Sequence, residues 1–352
     1  MQPDRWEVGS DFQWPGLPRP GDSPAVPWTS GLLLSSGRDA LRLALAVGVG
    51  RRGWRRLWVP EYFCQHVVAA LVRPGLELRV YPDDPLRRVP DLPDACPGDA
   101  ILVMNYFGLR EALEVPRRDG VEIIEDHSHD PTSAWAASSS ADFCVASMRK
   151  TVPVADGGVL WSPLGHALPA PPRLTPQRRR TAATKLAAMI LKTMYLDGHE
   201  VEKSAFRVLA RRGERGFAVP AVSAMSPVSR AILASFPIDA WRRARIGNHE
   251  ALRSHIAGVG LGRVPLPAGP DGVPFSCVLV TDTPESRETV RHHLIEGRIY
   301  PAVLWPLERP VLAISDEARD LSRRMLSIPC DARYGAEDMQ RTGDVLREAG
   351  QG

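Results

Sequence analysis

At 352 residues the chain is long enough for about two domains of ordinary size and a real hydrophobic core, which excludes a disulfide-stapled miniprotein. Lys and Arg number 44 against 41 Asp and Glu, a formal charge of +3. That is too thin for a dedicated nucleic-acid binder, whose phosphate contacts need clustered cations. Hydrophobic residues at 44% and charged residues at 24% sit near globular averages, so a soluble globular chain is expected.

Cys64, Cys96, Cys144, Cys277 and Cys330 are odd in number, irregularly spaced and without a CxxC pair, so neither a disulfide framework nor a zinc knuckle is indicated. No segment resembles a signal peptide, and no run nears the roughly 18 apolar residues of a membrane span. A cytoplasmic protein with no membrane or nucleic-acid partner is therefore expected. Only four of the basic residues are lysines. Lys185, Lys192 and Lys203 fall in a basic helix-like stretch and read as a solvated face; Lys150 does not.

Residues 1–30, rich in Pro and Trp, read as an arm wrapping over the body. Helical spacing follows at 38–48, a short buried strand at 55–60, a helix through YFCQHVVAALVRPG, and a second strand at 76–82. Residues 100–108 and 121–126 are two more apolar runs of strand length, and 141–148 with 157–163 look like a closing pair. Strands alternating with helices predict an α/β fold with a mostly parallel sheet covered on both faces. A Pro-rich linker at about 164 opens an arginine-rich helical region to about 215, assigned with the large domain (31–225). A long amphipathic helix over 226–258 begins a smaller C-terminal α+β domain (226–352). In it PFSCVLVTD and RIYPAVLW read as strands, with SRETVRHHLIEG and AEDMQRTGDVLREA as helices.

Three segments fall where strands of such a sheet end, the usual place for ligands. SSGRDAL at 35–41 is a small-residue turn entering a helix, whose free N–H groups suit a phosphate; Ser36 or Asp39 as an ordinary helix cap is the plain alternative. In IIEDHSHD at 123–130 an apolar strand ends in Asp126, readable as a ligand-holding acid, polar turn chemistry or part of a metal site. In ASMRKTVPVADGG at 146–158, Lys150 lies in a loop between strands beside Arg149, a setting that favours its uncharged, nucleophilic form, unless it is a surface lysine. Together the segments supply what pyridoxal 5'-phosphate asks of a protein: a phosphate seat, a carboxylate for the pyridine nitrogen and a lysine.

From about residue 8 to residue 345 the chain resembles the DegT/DnrJ/EryC1/StrS aminotransferases, a branch of the fold-type-I pyridoxal-phosphate enzymes. SGRDAL resembles the family's SGTSAL-type turn, WVPEYFCQHVVAAL its VPSFTFVATANAV, NYFG its strand-end H-x-Y/F-G, VEIIEDHSHD its IEDAAHA segment, and SMRKTVPVADGG its SFHATKNLTTGEGG. LSIPCDARYGAEDM is similar to its LPLHPxLTDEDV ending. The resemblance implies a large domain with a mostly parallel sheet and a smaller C-terminal domain. It also implies Asp126 on the pyridine nitrogen, His129 beside the ring, Lys150 as the Schiff-base lysine, and Gly37, Arg38, Asp39 and Ser147 about the phosphate. Cys64 takes the place of the family's stacking aromatic, leaving Tyr62 and Phe63 as substitutes.

Between Ser147 and Lys150 there are two residues fewer than in the usual pattern, which offers Arg149 to the phosphate. The segment at 220–233 lacks the Asn that crosses to the neighbouring subunit's phosphate. The implied activity moves an amino group from a small-molecule donor, glutamate or glutamine, to a keto acceptor, a keto-sugar attached to a nucleotide or a related cyclic ketone, in a homodimer. Arg298 and Arg333 in the smaller domain could bind a carboxylate or diphosphate by two parallel hydrogen bonds, with ordinary surface arginines as the plain alternative. A dehydratase-like reaction, a hydrolase holding a metal on Asp126, His127 and His129, and a non-catalytic homologue are the alternatives.

Overall fold

The computed structural model describes residues 5–16, 26–113, 115, 117–269 and 272–350; residues 1–4 and 17–25 of the expected arm lie outside them. A short strand β1 (Val8–Gly9) is followed by β2 (Leu32–Leu34) and α1 (Gly37–Val47). Then come β3 (Arg56–Pro60), α2 (Gln65–Leu71), β4 (Glu77–Tyr81), β5 (Asp99–Met104), β6 (Glu122–Asp126), α3 (Ala134–Ser138), β7 (Phe143–Ala146) and β8 (Gly158–Trp161). Among the described residues, seven of these strands make one sheet in the order β2-β8-β7-β6-β5-β3-β4. β3 to β7 run parallel, and β8 lies antiparallel to both β7 and β2. β5, β7 and β8 are buried along their whole length, the physical reason their sequences, past Asp99 at the start of β5, are apolar runs rather than alternating ones. α1 packs Ala40, Leu41, Ala44 and Leu45 inward against β7 and β8.

Past β8, the helices α4 (Pro176–Leu196) and α5 (Lys203–Ala218) form a hairpin; Thr175 caps α4 by accepting from the Arg178 N–H, with Pro176 at the first helical position. The chain continues through α6 (Pro227–Ala234), α7 (Ile238–His255), β9 (Cys277–Val280), α8 (Pro284–Glu296), β10 (Ile299–Tyr300), α9 (Asp316–Arg324), β11 (Met325–Ile328) and α10 (Ala336–Ala349). β9 and β11 pair antiparallel. Leu252, Leu279, Leu294, Leu326 and Leu346 join them with α7, α8 and α10 in one core. β1 pairs in parallel with β10, so the N-terminal segment adds to this end of the molecule. Among the described residues no helix is long and apolar enough to cross a membrane.

Three sequence expectations are corrected. The helix over 226–258 is two helices, α6 and α7, because Pro237 lacks an N–H and disfavours helical geometry at Phe236 before it. The strand over RIYPAVLW is only Ile299–Tyr300, ended by Pro301.

The lysines of the hairpin are not a solvated face. Arg178, Lys185 and Lys192 recur every seven residues on the inner side of α4, with side chains 1%, 6% and 2% exposed. Each meets an acid: Arg178 reaches Asp39 at 2.8 Å, Lys185 reaches Asp11 at 2.8 Å and Glu214 at 2.9 Å, and Lys192 reaches Glu7 at 3.2 Å. Lys203, on α5, pairs with Glu7 at 2.5 Å. Burial, with Arg333 nearby, pushes the Lys192 ammonium down to about 8 against the pull of Glu7.

Candidate active site

Parallel pairing aligns the C-terminal ends of β5, β6 and β7, with Met104 opposite Asp126 and Asp126 opposite Val145. The chain leaving β7 runs directly into Ser147 and a single turn of 3₁₀ helix, Met148–Lys150. β2 runs in the same direction, and Ser35 and Ser36 carry it into α1 at this edge of the sheet. A cavity of about 400 Å³ forms here, lined among others by Gly37, Arg38, Asp126, Ser147, Arg149 and Lys150. Phe63, Cys64, Ser128, Glu214 and Trp305 also face it.

At one end of the cavity stands the N-terminus of α1. Ser36 both caps the helix, accepting from the Asp39 N–H at 3.2 Å, and lines the cavity, so the cap and the ligand-facing turn are one structure. The first N–H groups of the helix have no partner within it and carry the positive end of its dipole. Gly37 packs so closely on Ser147 that a Cβ there would lie 2.9 Å from the Ser147 Cβ. Arg38 and Arg149 add two cations; burial and then Arg149 lower the Arg38 pKa, as two positive groups in one cavity require.

Arg149 is held by Glu214 of α5 at 2.6 Å and lies 4.1 Å from the centre of the Phe217 ring. Burial alone would raise the Glu214 carboxyl, but Arg149 and Lys185 outweigh it and bring it to about 2.

In the middle of the cavity are Asp126, which accepts the Ser128 N–H at 2.8 Å on one oxygen, and Lys150. Burial is the largest influence on Lys150 and lowers its pKa; Arg149 adds to this while Asp126 and Cys64 oppose it. His129 contributes a geometric reason in the same direction. The Phe107 N–H donates to His129 Nδ1 at 2.9 Å, so in the neutral ring the proton sits on Nε2. Nε2 lies 3.1 Å from Lys150 Nζ and can donate to it only while the amine is uncharged. Burial, Lys150 and Arg245 together hold the His129 pKa well below the ordinary imidazole value, which keeps the ring neutral. Phe275 and Trp305 stack on that ring at 4.6 and 5.6 Å, and Lys150 Nζ is 5.3 Å from the centre of the Trp305 ring.

The structure thus brings Gly37, Arg38, Phe63, Asp126, Ser147 and Lys150 to one cavity, with His129 behind the lysine. It does not bring Asp39 or Tyr62. Asp39 is fully buried against Arg178, and its carboxyl, raised to about 6 by burial despite the arginines, would repel a phosphate. Tyr62 turns into the core, where its hydroxyl donates to the Leu304 carbonyl at 3.0 Å. His127 faces away from Asp126 and bonds Glu125 at 2.9 Å, so Asp126, His127 and His129 are not one ligand set. Arg298 is exposed on the turn before β10. Arg333 is spent on Asp331, with Nε at 2.7 Å and an amino nitrogen at 2.8 Å from its two oxygens.

Sequence reasoning missed Ser128, Glu214, Phe275 and Trp305. Ser128 was within reach, lying two residues past Asp126 and so on the same side of an extended chain. Trp305 and Phe275 come from loops of the smaller unit and carry no local signal.

A second cavity, of about 460 Å³, opens on the other side of Lys150 and Arg149. Its walls include Ser10, Asp11, Phe12, Phe275, Ser276 and Tyr300.

No protein-family model matches the chain, and no curated protein matches it in sequence. Its fold does match solved structures. A putative sugar aminotransferase, Spr1654 of Streptococcus pneumoniae in its PMP form, superposes with a TM-score of 0.64 at 14% identity over 91% of this chain and 88% of that one. The aminotransferase TlmJ of Streptoalloteichus hindustanus gives 0.61 at 18% identity over 91% and 85%. DesV of S. venezuelae, solved with a ketimine intermediate, gives 0.58 at 18% over 92% and 85%. The chain has the α/β fold of these aminotransferases, with a large, mostly parallel central sheet.

Proposed function

We propose that the chain is a pyridoxal-phosphate-dependent aminotransferase of the DegT/DnrJ/EryC1/StrS type that aminates a keto-sugar or a related cyclic ketone. One observation carries the reading: the free end of α1 with Ser147 and two arginines, the carboxylate of Asp126 and the amine of Lys150 share a single cavity. The fold adds support, since its solved neighbours include sugar aminotransferases, among them one in a PMP form.

The residues fit the cofactor. Gly37 lets the start of α1 pack directly on Ser147 so that both line the cavity, and Arg38 and Arg149 supply charge for a phosphate. Asp126 would oppose a protonated ring nitrogen, Phe63 and Trp305 offer apolar faces, and Lys150 would be the covalent anchor. When bound, the cofactor supplies an electron sink for the bond being broken. What the chain itself does is narrower. Burial, aided by Arg149 and opposed by Asp126 and Cys64, shifts Lys150 toward the free amine, the form able to attack a carbonyl and, once released, to carry a proton to and from the substrate carbon. His129 Nε2–H fixes that amine in place. Glutamate or glutamine as donor, and a homodimer, are carried by the family resemblance.

The test is spectroscopic. Protein mixed with pyridoxal 5'-phosphate should gain a visible band that borohydride bleaches and that glutamate or glutamine removes. The amino form should then recover the band with nucleotide-linked keto-sugars or hydroxylated cyclic ketones. Protein that takes up no cofactor overturns the reading.

A further inference from the structure

Of the chain's four lysines, Lys150 sits in the cavity and the other three converge on one short segment, residues 7–11. Lys192 donates to Gly9 O at 3.2 Å, to Ser10 Oγ at 2.7 Å and to Asp11 O at 2.7 Å. Lys185 pairs with the Asp11 carboxylate and Lys203 with Glu7. Arg333 also donates to Asp11 O at 3.1 Å while its guanidinium lies 4.4 Å from the centre of the Phe12 ring.

The backbone held this way is strained. Gly9 has φ +100°, where a Cβ would stand 2.5 Å from Tyr300 O, and Ser10 has φ +59°, uncommon for a residue with a side chain. Strain of this kind persists only where the surroundings over-determine it. Here Asp11 and Phe12 line the second cavity together with Lys150 and Arg149. The Asp11 side chain stays 49% exposed although its main chain is pinned by Lys192 and Arg333.

We infer that residues 10–12 form the far wall of the acceptor's room and that Asp11 is a specificity residue accepting hydrogen bonds from ring hydroxyls of the keto substrate. The inference rests on the aminotransferase reading. Its chemistry is that of polyol recognition. A carboxylate accepts from a hydroxyl pair, the Ser276 hydroxyl adds a second polar contact, and the rings of Phe12, Phe275 and Tyr300 cover the carbon skeleton. Arg333 is turned to Asp331 and to the Asp11 carbonyl, so the Asp11 carboxylate is the group at this edge left open to a hydroxyl. The acceptor edge that meets Asp11 is therefore a hydroxylated one.

The experiment uses the full chain loaded with pyridoxamine phosphate and two probe ketones, cyclohexanone and a polyhydroxylated cyclohexanone, with return of the visible band as the readout. The wild type should prefer the hydroxylated ketone by about 100-fold, because a site built to bond hydroxyls leaves polar groups unpaired with the bare ring. Asp11→Asn should cut that ratio by roughly tenfold. Asp11→Glu keeps a partner for Lys185, guards against a folding defect, and should also lower the ratio by displacing the carboxylate. A wild type without preference, or variants whose ratio matches the wild type, overturns the inference while leaving the aminotransferase reading intact. No visible band in the wild type overturns both.

Discussion

The two sides of the chain at the end of β6 carry the same chemistry to opposite ends. On one side Glu125 and His127 meet within a closed set. Glu125 accepts from Trp135 Nε1 at 3.0 Å, His127 Nε2 at 2.9 Å and Ser139 Oγ at 2.7 Å, with Cys144 Sγ at 3.6 Å. On the other side Asp126 takes one bond from the described residues, the Ser128 N–H, and turns to a cavity shared with Lys150. Glu125, His127 and Cys144 have the ligand types of a metal site and lie within 4.8 Å of one another, yet the carboxylate is already filled with protein donors. An acid taken up by protein donors is a structural element; an acid left with spare valence beside a lysine whose pKa burial lowers is where chemistry can happen.

Variants on the two sides should break in different ways. Lys150→Ala is expected to lose the borohydride-sensitive band and to lower turnover by roughly 10⁴-fold, measured on folded protein. Asp126→Ala should follow with a loss of roughly 100-fold or more and weaker cofactor binding, because nothing then opposes a charged ring nitrogen. Both leave the core intact, so their melting temperatures should stay near the wild type.

Glu125→Ala should do the reverse, costing about 3–5 kcal/mol in chemical denaturation, since it leaves His127 and Trp135 buried without their acceptor, while the band per folded molecule is retained. If Glu125→Ala abolishes the band in stable protein, the two sides are not distinct.

The smallest effect is in acid. Burial would raise the Glu125 carboxyl, but the bonds from His127, Ser139 and Trp135 hold it below its ordinary value of 4.5. A depressed carboxyl stabilises the fold above that ordinary value and loses the contribution as pH falls through its folded value. The wild type should therefore weaken below about pH 4.5, and Glu125→Gln should show a flatter acid limb in urea melts.

Much of this site was legible in the sequence. The parallel core announced itself because strands buried on both faces read as apolar runs, and Asp126 and Lys150 stood out as an acid ending such a run and as a scarce lysine in a strand-to-strand loop. What was hidden was polarity facing inward. Helical spacing marks a basic stripe on α4, but only the partners, Asp39, Asp11, Glu214 and Glu7, tell that the stripe is buried, and three of those lie more than 130 positions earlier in the chain. Asp39 lies outside the cavity lining for the same reason: its spacing in SGRDAL suited a phosphate turn, and a distant arginine holds it in the interior. Tyr62 and Phe63 are neighbours in sequence, yet one bonds Leu304 in the core and the other faces the cavity, a choice made by tertiary packing alone.

The central claim is that one lysine anchors the cofactor, and the chain's four lysines make it directly measurable. Protein loaded with pyridoxal 5'-phosphate, reduced with borohydride, digested and mapped by mass spectrometry should carry the pyridoxyl group on Lys150. A group found on Lys185, Lys192 or Lys203, or on none of the four, would contradict it.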